Sequence, residues 1–164
     1  MTLEVYLDKK TADKAERYFS EVALRGLEGM GLLVGMRCQN DGNDKNGGGD
    51  SGKFVMVSDF ITGDTDSSPV SVKFSKSAFE KLTEQLKGKR EIVVGWCHSH
   101  PSYGCFLSST DVSTQRRFFN EEFHIAAVFD PLRTEQFGQT HAMAKRFYRL
   151  TAKGYQEISF AVTK

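Results

Sequence analysis

The sequence predicts an α/β (α+β) fold in which helices flank a mixed central β-sheet. Three observations carry that expectation: two segments repeat apolar residues at helical spacing, short β-prone apolar runs lie between and after them, and the elements interleave along the chain. The expected order is helix, two strands, helix, strand, helix, three strands. With 164 residues one core is enough, so 1–164 is expected to be a single domain.

Residues 8–24 place Ala12, Ala15, Phe19, Val22 and Ala23 on one helical face, and Gly26 supplies a stop. The run 30–36 (MGLLVGM) reads as a buried strand. Residues 39–53 (QNDGNDKNGGGDSGK) contain no large apolar side chain that could offset the entropy of ordering them, and read as a flexible hairpin connection. Residues 54–61 alternate as a strand should. The polar stretch 62–75 reads as a loop that holds Pro69 and the β-prone Val70-Ser71-Val72. Ser77 and Glu80 have capping-box spacing, with Phe79, Leu82 and Leu86 forming the buried face of a helix that stops near Gly88. The run 91–98 (EIVVGWCH) is the strongest buried strand. Residues 109–119 read as a third helix with Ser109 as N-cap. Strands over 123–129, 142–150 and 155–162 complete the chain, with Pro131 just past the first of them.

Composition excludes several classes of function. Lys and Arg number 22 against 21 Asp and Glu, a net charge of +1, which argues against a nucleic-acid partner. No apolar run approaches the ~20 residues that span a bilayer. The first ten residues lack a signal-peptide core, and three cysteines without a CxxC pair do not make a disulfide framework. The expected compartment is the cytoplasm, with no membrane partner.

The residues with most chemical content are His98-Ser99-His100-Pro101. Residues i and i+2 of a strand share a face, so an extended His-x-His presents two imidazoles side by side, and Pro101 favours that extended geometry at His100. Two neutral imidazoles suit a borderline metal; two surface or capping histidines are the plainer alternative. Asp111, eleven residues on, falls in the first turn of the third helix, where a carboxylate also suits the helix dipole. Two histidines, a carboxylate and an open position make a catalytic zinc shell. Ser108 adds a hydroxyl near the same point, unless it only caps the helix. Glu28 precedes the 30–36 strand; if that strand lies beside 91–98, its carboxylate can serve as general base, and otherwise it is an ordinary loop glutamate.

Taken together, His98-Ser99-His100-Pro101, six residues, then Ser108-Ser109-Thr110-Asp111 resembles the His-x-His-Pro-x6-Ser-x-x-Asp motif of the JAMM (MPN+) metalloproteases. Glu28-Gly-Met-Gly31-Leu-Leu-Val-Gly35 looks like that family's Glu-x-x-Gly segment with its apolar run and second glycine, and residues 93–111 are most similar to the proteasome-lid deubiquitinase branch. The resemblance implies that His98, His100 and Asp111 bind one Zn²⁺ per chain. Glu28 would act as general base and acid, and Ser108 would hydrogen-bond the oxyanion. It implies hydrolysis of the isopeptide bond between a lysine and the C-terminal glycine of ubiquitin or a ubiquitin-like modifier. Residues 62–75 fall where the family carries its first insertion, so Val70, Ser71 and Val72 are the candidate contacts to the modifier's tail. The chain ends soon after this core, without the lid subunit's long C-terminal helices, which weighs against obligate assembly into a proteasome.

Other residues have plainer readings. Cys97 should face the core, Cys105 matches no zinc spacing, and Trp96, Phe106, Phe118 and Phe119 read as core. Lys145, Arg146 and Arg149 read as a solvated strand edge. Two other readings stand beside it: a metallopeptidase of the same fold acting on a sulfur-carrier adduct or a short peptide, and a non-catalytic scaffold domain like the family's metal-free relatives, against which the intact Glu28, His98, His100, Ser108 and Asp111 argue.

Overall fold

The computed structural model describes residues 3–39, 52–62, 66–67, 72–73 and 76–164. The elements in chain order are β1 (Val5–Asp8), α1 (Lys9–Leu24), β2 (Met30–Gln39), β3 (Lys53–Ile61), β4 (Asp66–Ser67), β5 (Val72–Lys73), α2 (Lys76–Glu84), β6 (Ile92–Ser99), α3 (Ser109–Phe118), β7 (Ile125–Phe137), β8 (Thr140–Thr151), β9 (Gly154–Ile158) and β10 (Phe160–Thr163). The fold is of the expected α+β class. Eight strands form one mixed sheet in the order β10-β1-β3-β2-β6-β7-β8-β9, and β4 and β5 form a small antiparallel ladder. Ser159 alone separates β9 from β10, which lie at opposite ends of that order, so the sheet rolls until its edges meet. The Ser159 carbonyl accepts from the Val5 amide at 3.1 Å, which ties this crossing point to β1.

Each face of the sheet has its own core. On one, α1 buries Ala12, Ala15, Phe19 and Val22 as its period requires, and Phe19 packs on Phe60 and Phe129. Cys97 faces this side, as expected for the residue next to His98 on a strand. On the other face, Met30, Leu32, Trp96, Leu107 and Phe119 pack with Leu82 of α2. Asp8 caps α1 by accepting from the Thr11 amide, and Gly26, with φ 69°, ends the run in the left-handed conformation that favours glycine. Among the described residues no helix is long and apolar enough to cross a membrane.

The structure departs from expectation at several points, each with a physical reason. The strand β1 was hidden in four residues whose charged neighbours masked their alternation. The last expected strand is two, because the chain passes at Ser159 from one edge of the rolled sheet to the other. The helix α2 begins at Lys76, so Ser77 lies inside its first turn instead of in front of it. α3 is capped by Ser108 rather than Ser109. Far from stopping the strand, Pro131 sits in an irregularity between Asp130 and Thr134, and β7 continues to Phe137. The basic edge is no edge: β8 pairs on both sides, Lys145 is 1% exposed and bonds Glu16 at 2.8 Å, and Arg149 bonds Glu4 at 2.8 Å. Phe106, expected in the core, is 41% exposed. Of residues 39–53 only the ends are described, and Val70 and Ser71 also lie outside the described residues; Val72 belongs to β5, opposite Ser67.

Candidate metal centre

The site lies where β2 and β6 run antiparallel with Met30 opposite His98. On its other side β2 packs tightly on β3, which its glycines allow. A side chain on Gly31 would collide with the Phe60 ring, and one on Gly35 with the Met56 carbonyl oxygen at the point where the β2–β3 register shifts. Just before Met30, the segment carrying Glu28 is held at both ends. The Leu27 amide bonds the Val22 carbonyl at the end of α1 at 3.2 Å, and the Ser99 amide bonds the Gly29 carbonyl at 3.0 Å. Ser99 Oγ in turn accepts from the Gly29 amide at 2.8 Å. Glu28 is thereby carried into the interior, 4% exposed.

His98 and His100 come from the end of β6 and the residue after it, and both are buried. His98 stacks on Trp96 with centroids 4.5 Å apart, and the Trp96 indole N–H bonds the Gln115 carbonyl oxygen on α3. The His100 amide bonds the Phe129 carbonyl at 2.8 Å, while its Nδ1 faces the Gly104 carbonyl at 3.1 Å. A carbonyl only accepts, so Nδ1 carries the proton and Nε2 keeps its lone pair. Asp111 arrives through the capping box of α3: its Oδ2 accepts from the Ser108 amide at 2.8 Å, and its amide donates to Ser108 Oγ at 3.1 Å. Ser108 is thus the cap that the sequence reading assigned to Ser109.

Three donor atoms converge. His98 Nε2 lies 3.0 Å from His100 Nε2, and Asp111 Oδ2 lies 3.0 Å from the first and 3.2 Å from the second. The edge of a tetrahedron with ~2.0 Å metal–ligand bonds is about 3.3 Å, so the triangle is close to three ligands of one zinc-sized ion. The charge states agree with that chemistry. Burial pushes the His98 imidazole below its ordinary range, towards the neutral ligand form. Burial also acts to raise Asp111, but the two imidazoles facing its carboxylate and the Ser108 amide outweigh it and hold the carboxyl well below the usual range. The residues present therefore fit a divalent metal of this type, and among the described residues this is the group of His, Cys, Asp and Glu side chains able to hold one.

Burial pushes the Glu28 carboxyl up to about 7; His100 pulls it down and Asp111 adds to the rise. A carboxyl poised near neutrality within electrostatic reach of His100 and Asp111 can both take up and release a proton. Sequence reading missed three supports of this arrangement: Ser99, which ties the Glu28 segment to β6; Gln115, bonded to the indole that stacks on His98; and Asp130, which binds the loop after His100. The Ser of His-Ser-His-Pro was visible, but its contact depends on the β2–β6 register. Outside the triad, Tyr103 stacks on His100 at 4.8 Å and Phe106 meets it edge-on at 5.0 Å, leaving an aromatic rim half open to solvent.

Similarity to known proteins agrees with this geometry. The profile of the family described as JAB1/Mov34/MPN/PAD-1 ubiquitin protease matches residues 2–122. COP9 signalosome complex subunit 5b of Arabidopsis thaliana is 38% identical over 136 residues, which cover 79% of this chain and 34% of that protein. Subunit 5 of Caenorhabditis elegans is 34% identical, covering 85% and 40%, and subunit 5 of Drosophila melanogaster is 30% identical, covering 92% and 47%. The chain spans less than half the length of each of these relatives. The solution structure of a protein from Desulfitobacterium hafniense shares the fold, with a TM-score of 0.66 over 98% of this chain and 93% of that one, at 16% identity. With Glu28, His98, His100, Ser108 and Asp111 all inside the matched span, the chain belongs to the JAB1/Mov34/MPN/PAD-1 family.

Proposed function

We propose that this chain is a zinc-dependent isopeptidase that hydrolyses the bond between the C-terminal glycine of ubiquitin or a ubiquitin-like modifier and a lysine amine. The observation that carries the reading is the convergence of His98 Nε2, His100 Nε2 and Asp111 Oδ2 beside a buried glutamate with a pKa of about 7. The family description, a ubiquitin protease, supports the substrate class.

In this reading His98, His100 and Asp111 hold one Zn²⁺. Bound there, the ion would supply Lewis acidity towards a carbonyl and lower the pKa of water. Glu28 accepts a proton from the attacking water and delivers it to the departing lysine amine. Ser108 Oγ already accepts from the Asp111 amide, so its own proton is the one it offers to the oxyanion. The stretch 62–75, with the β4–β5 ladder inside it, holds the modifier's tail through Val70, Ser71 and Val72. Residues 1–164 work as one domain, and a multisubunit assembly, of which the proteasome and the complex named for the signalosome relatives are examples, is a candidate partner.

The test is to offer zinc-loaded protein a lysine-linked modifier conjugate, a linear modifier fusion and a free peptide, each with and without chelator. Chelator-sensitive cleavage of the conjugate is the expected result. Cleavage of the peptide alone would leave a small-substrate peptidase of the same fold. A protein that holds zinc without cutting any of the three, or holds none, would be a scaffold domain.

A further inference from the structure

We infer that Asp130 is the positioning residue of this site, the group that sets the orientation and tautomer of His100. Asp130 is wholly buried at the point where the β7–β8 pairing shifts register, with Asp130 opposite Ala144 and Thr134 opposite Met143. Three residues, 131–133, are thereby pushed out of the ladder on the β7 side, and bulges of this kind re-aim side chains. The Asp130 carboxylate turns towards the loop that follows His100. Its Oδ1 accepts from the Ser102 amide at 2.9 Å and the Leu132 amide at 3.1 Å, and its Oδ2 accepts from the Gly104 amide at 3.4 Å. Arg133 closes the clasp, with Nε 3.3 Å from Oδ2 and Nη2 donating to the Ser102 carbonyl at 3.3 Å.

The loop needs such a clasp. Ser102 has φ 63°, a conformation uncommon for a residue with a side chain, and Gly104 has φ 94°. Without partners for its amides, this turn has no reason to keep the Gly104 carbonyl on His100 Nδ1 at 3.1 Å. That contact puts a proton on Nδ1 and leaves Nε2 as the nitrogen turned to the donor triangle. Asp130 touches neither the imidazole nor the donor triangle; it acts through the loop. Partners of this rank typically change metal affinity by about 10–100-fold when removed.

The consequence for His100 stands whether or not the metal reading is right, so the test has two parts. In metal-stripped protein, ¹⁵N spectra of the imidazoles should show His100 protonated at Nδ1 in the wild type and a mixture of tautomers in Asp130→Asn, whose amide nitrogen cannot accept from the Gly104 amide. Zinc titration against a competing chelator should then show affinity lower by about 10-fold or more. An unchanged tautomer would overturn the inference. Should the tautomer shift while zinc binds with wild-type affinity, Asp130 would hold the loop only, and its role at the site would be refuted. If zinc fails to bind even the wild type, the metal reading falls, and the tautomer alone decides on Asp130. Arg133→Ala covers the case in which Asp130→Asn does not fold. Arg133 is 60% exposed, and its loss should shift the tautomer and weaken zinc binding, with no change in either counting against the clasp.

Discussion

Ser99 and Gly29 bond each other twice across the β2–β6 junction, Ser99 N–H to the Gly29 carbonyl at 3.0 Å and Gly29 N–H to Ser99 Oγ at 2.8 Å. Residue 99 lies between the two histidines and residue 29 follows Glu28, so this pair of hydrogen bonds ties the segment that carries the base to the strand that carries the metal cluster. Ser99→Ala keeps the backbone half and leaves a buried amide unpaired, which costs about 1–3 kcal/mol. The expected outcome is a lower melting temperature and slower turnover with zinc retained. Unchanged turnover in the alanine variant would mean that the backbone bond is enough to place Glu28.

Glu28→Gln removes the proton acceptor and leaves the donor triangle intact. Turnover should fall ~10²–10⁴-fold with zinc occupancy unchanged, and a loss under tenfold would take the base role from Glu28. Stability gives an independent reading. The folded carboxyl has its pKa raised from 4.5 to about 7, so its protonated form is favoured by folding. The stability it contributes is fully present below pH 4.5 and is lost as pH rises through about 7. In metal-stripped protein the glutamine variant should therefore gain on the wild type across that window, by at most about 3 kcal/mol. Melting curves of the two proteins that run parallel from pH 4.5 to 8 would show the carboxyl to be solvated.

How much of this was visible beforehand depended on whether a feature is local. The helix α1 was legible because Ala12, Ala15, Phe19 and Val22 repeat at its own period. The His-Ser-His-Pro segment was legible because strand geometry alone puts both imidazoles on one face. Glu28 needed the pairing of Met30 with His98, a contact across 68 residues that no periodicity encodes. Asp130 gave no signal at all: a carboxylate before proline reads as a turn, and only the register shift shows it turned inward. The outward-facing Phe106 was misread for the same reason, since an aromatic in a site rim and one in a core look alike in sequence.

Ser108 carries two loads that separate in experiment. Its Oγ caps α3 through the Asp111 amide, so Ser108→Ala should cost about 1 kcal/mol of stability. If its proton also serves the oxyanion, kcat should fall by more than the small loss of folded protein explains, by up to ~10²–10³-fold, with KM little changed. A kcat within twofold of wild type would leave Ser108 as a cap and nothing more.

Metal removal makes the most direct prediction. A ligand at 1,000 times its Kd stabilises the folded state by about 4 kcal/mol, and for a domain of this size 1 kcal/mol moves the melting temperature by about 2–4 °C. Chelation should therefore lower the wild-type melting temperature by roughly 8–16 °C. His100→Ala and Asp111→Ala each delete one corner of the triangle, and their melting temperatures should be nearly insensitive to chelator. The two variants should differ in the stripped state. Asp111→Ala also loses the carboxylate that accepts from the Ser108 amide at 2.8 Å, one half of the capping box, whereas His100→Ala leaves that box whole. A variant that keeps the full chelator response has not lost a ligand, and that residue would leave the metal set.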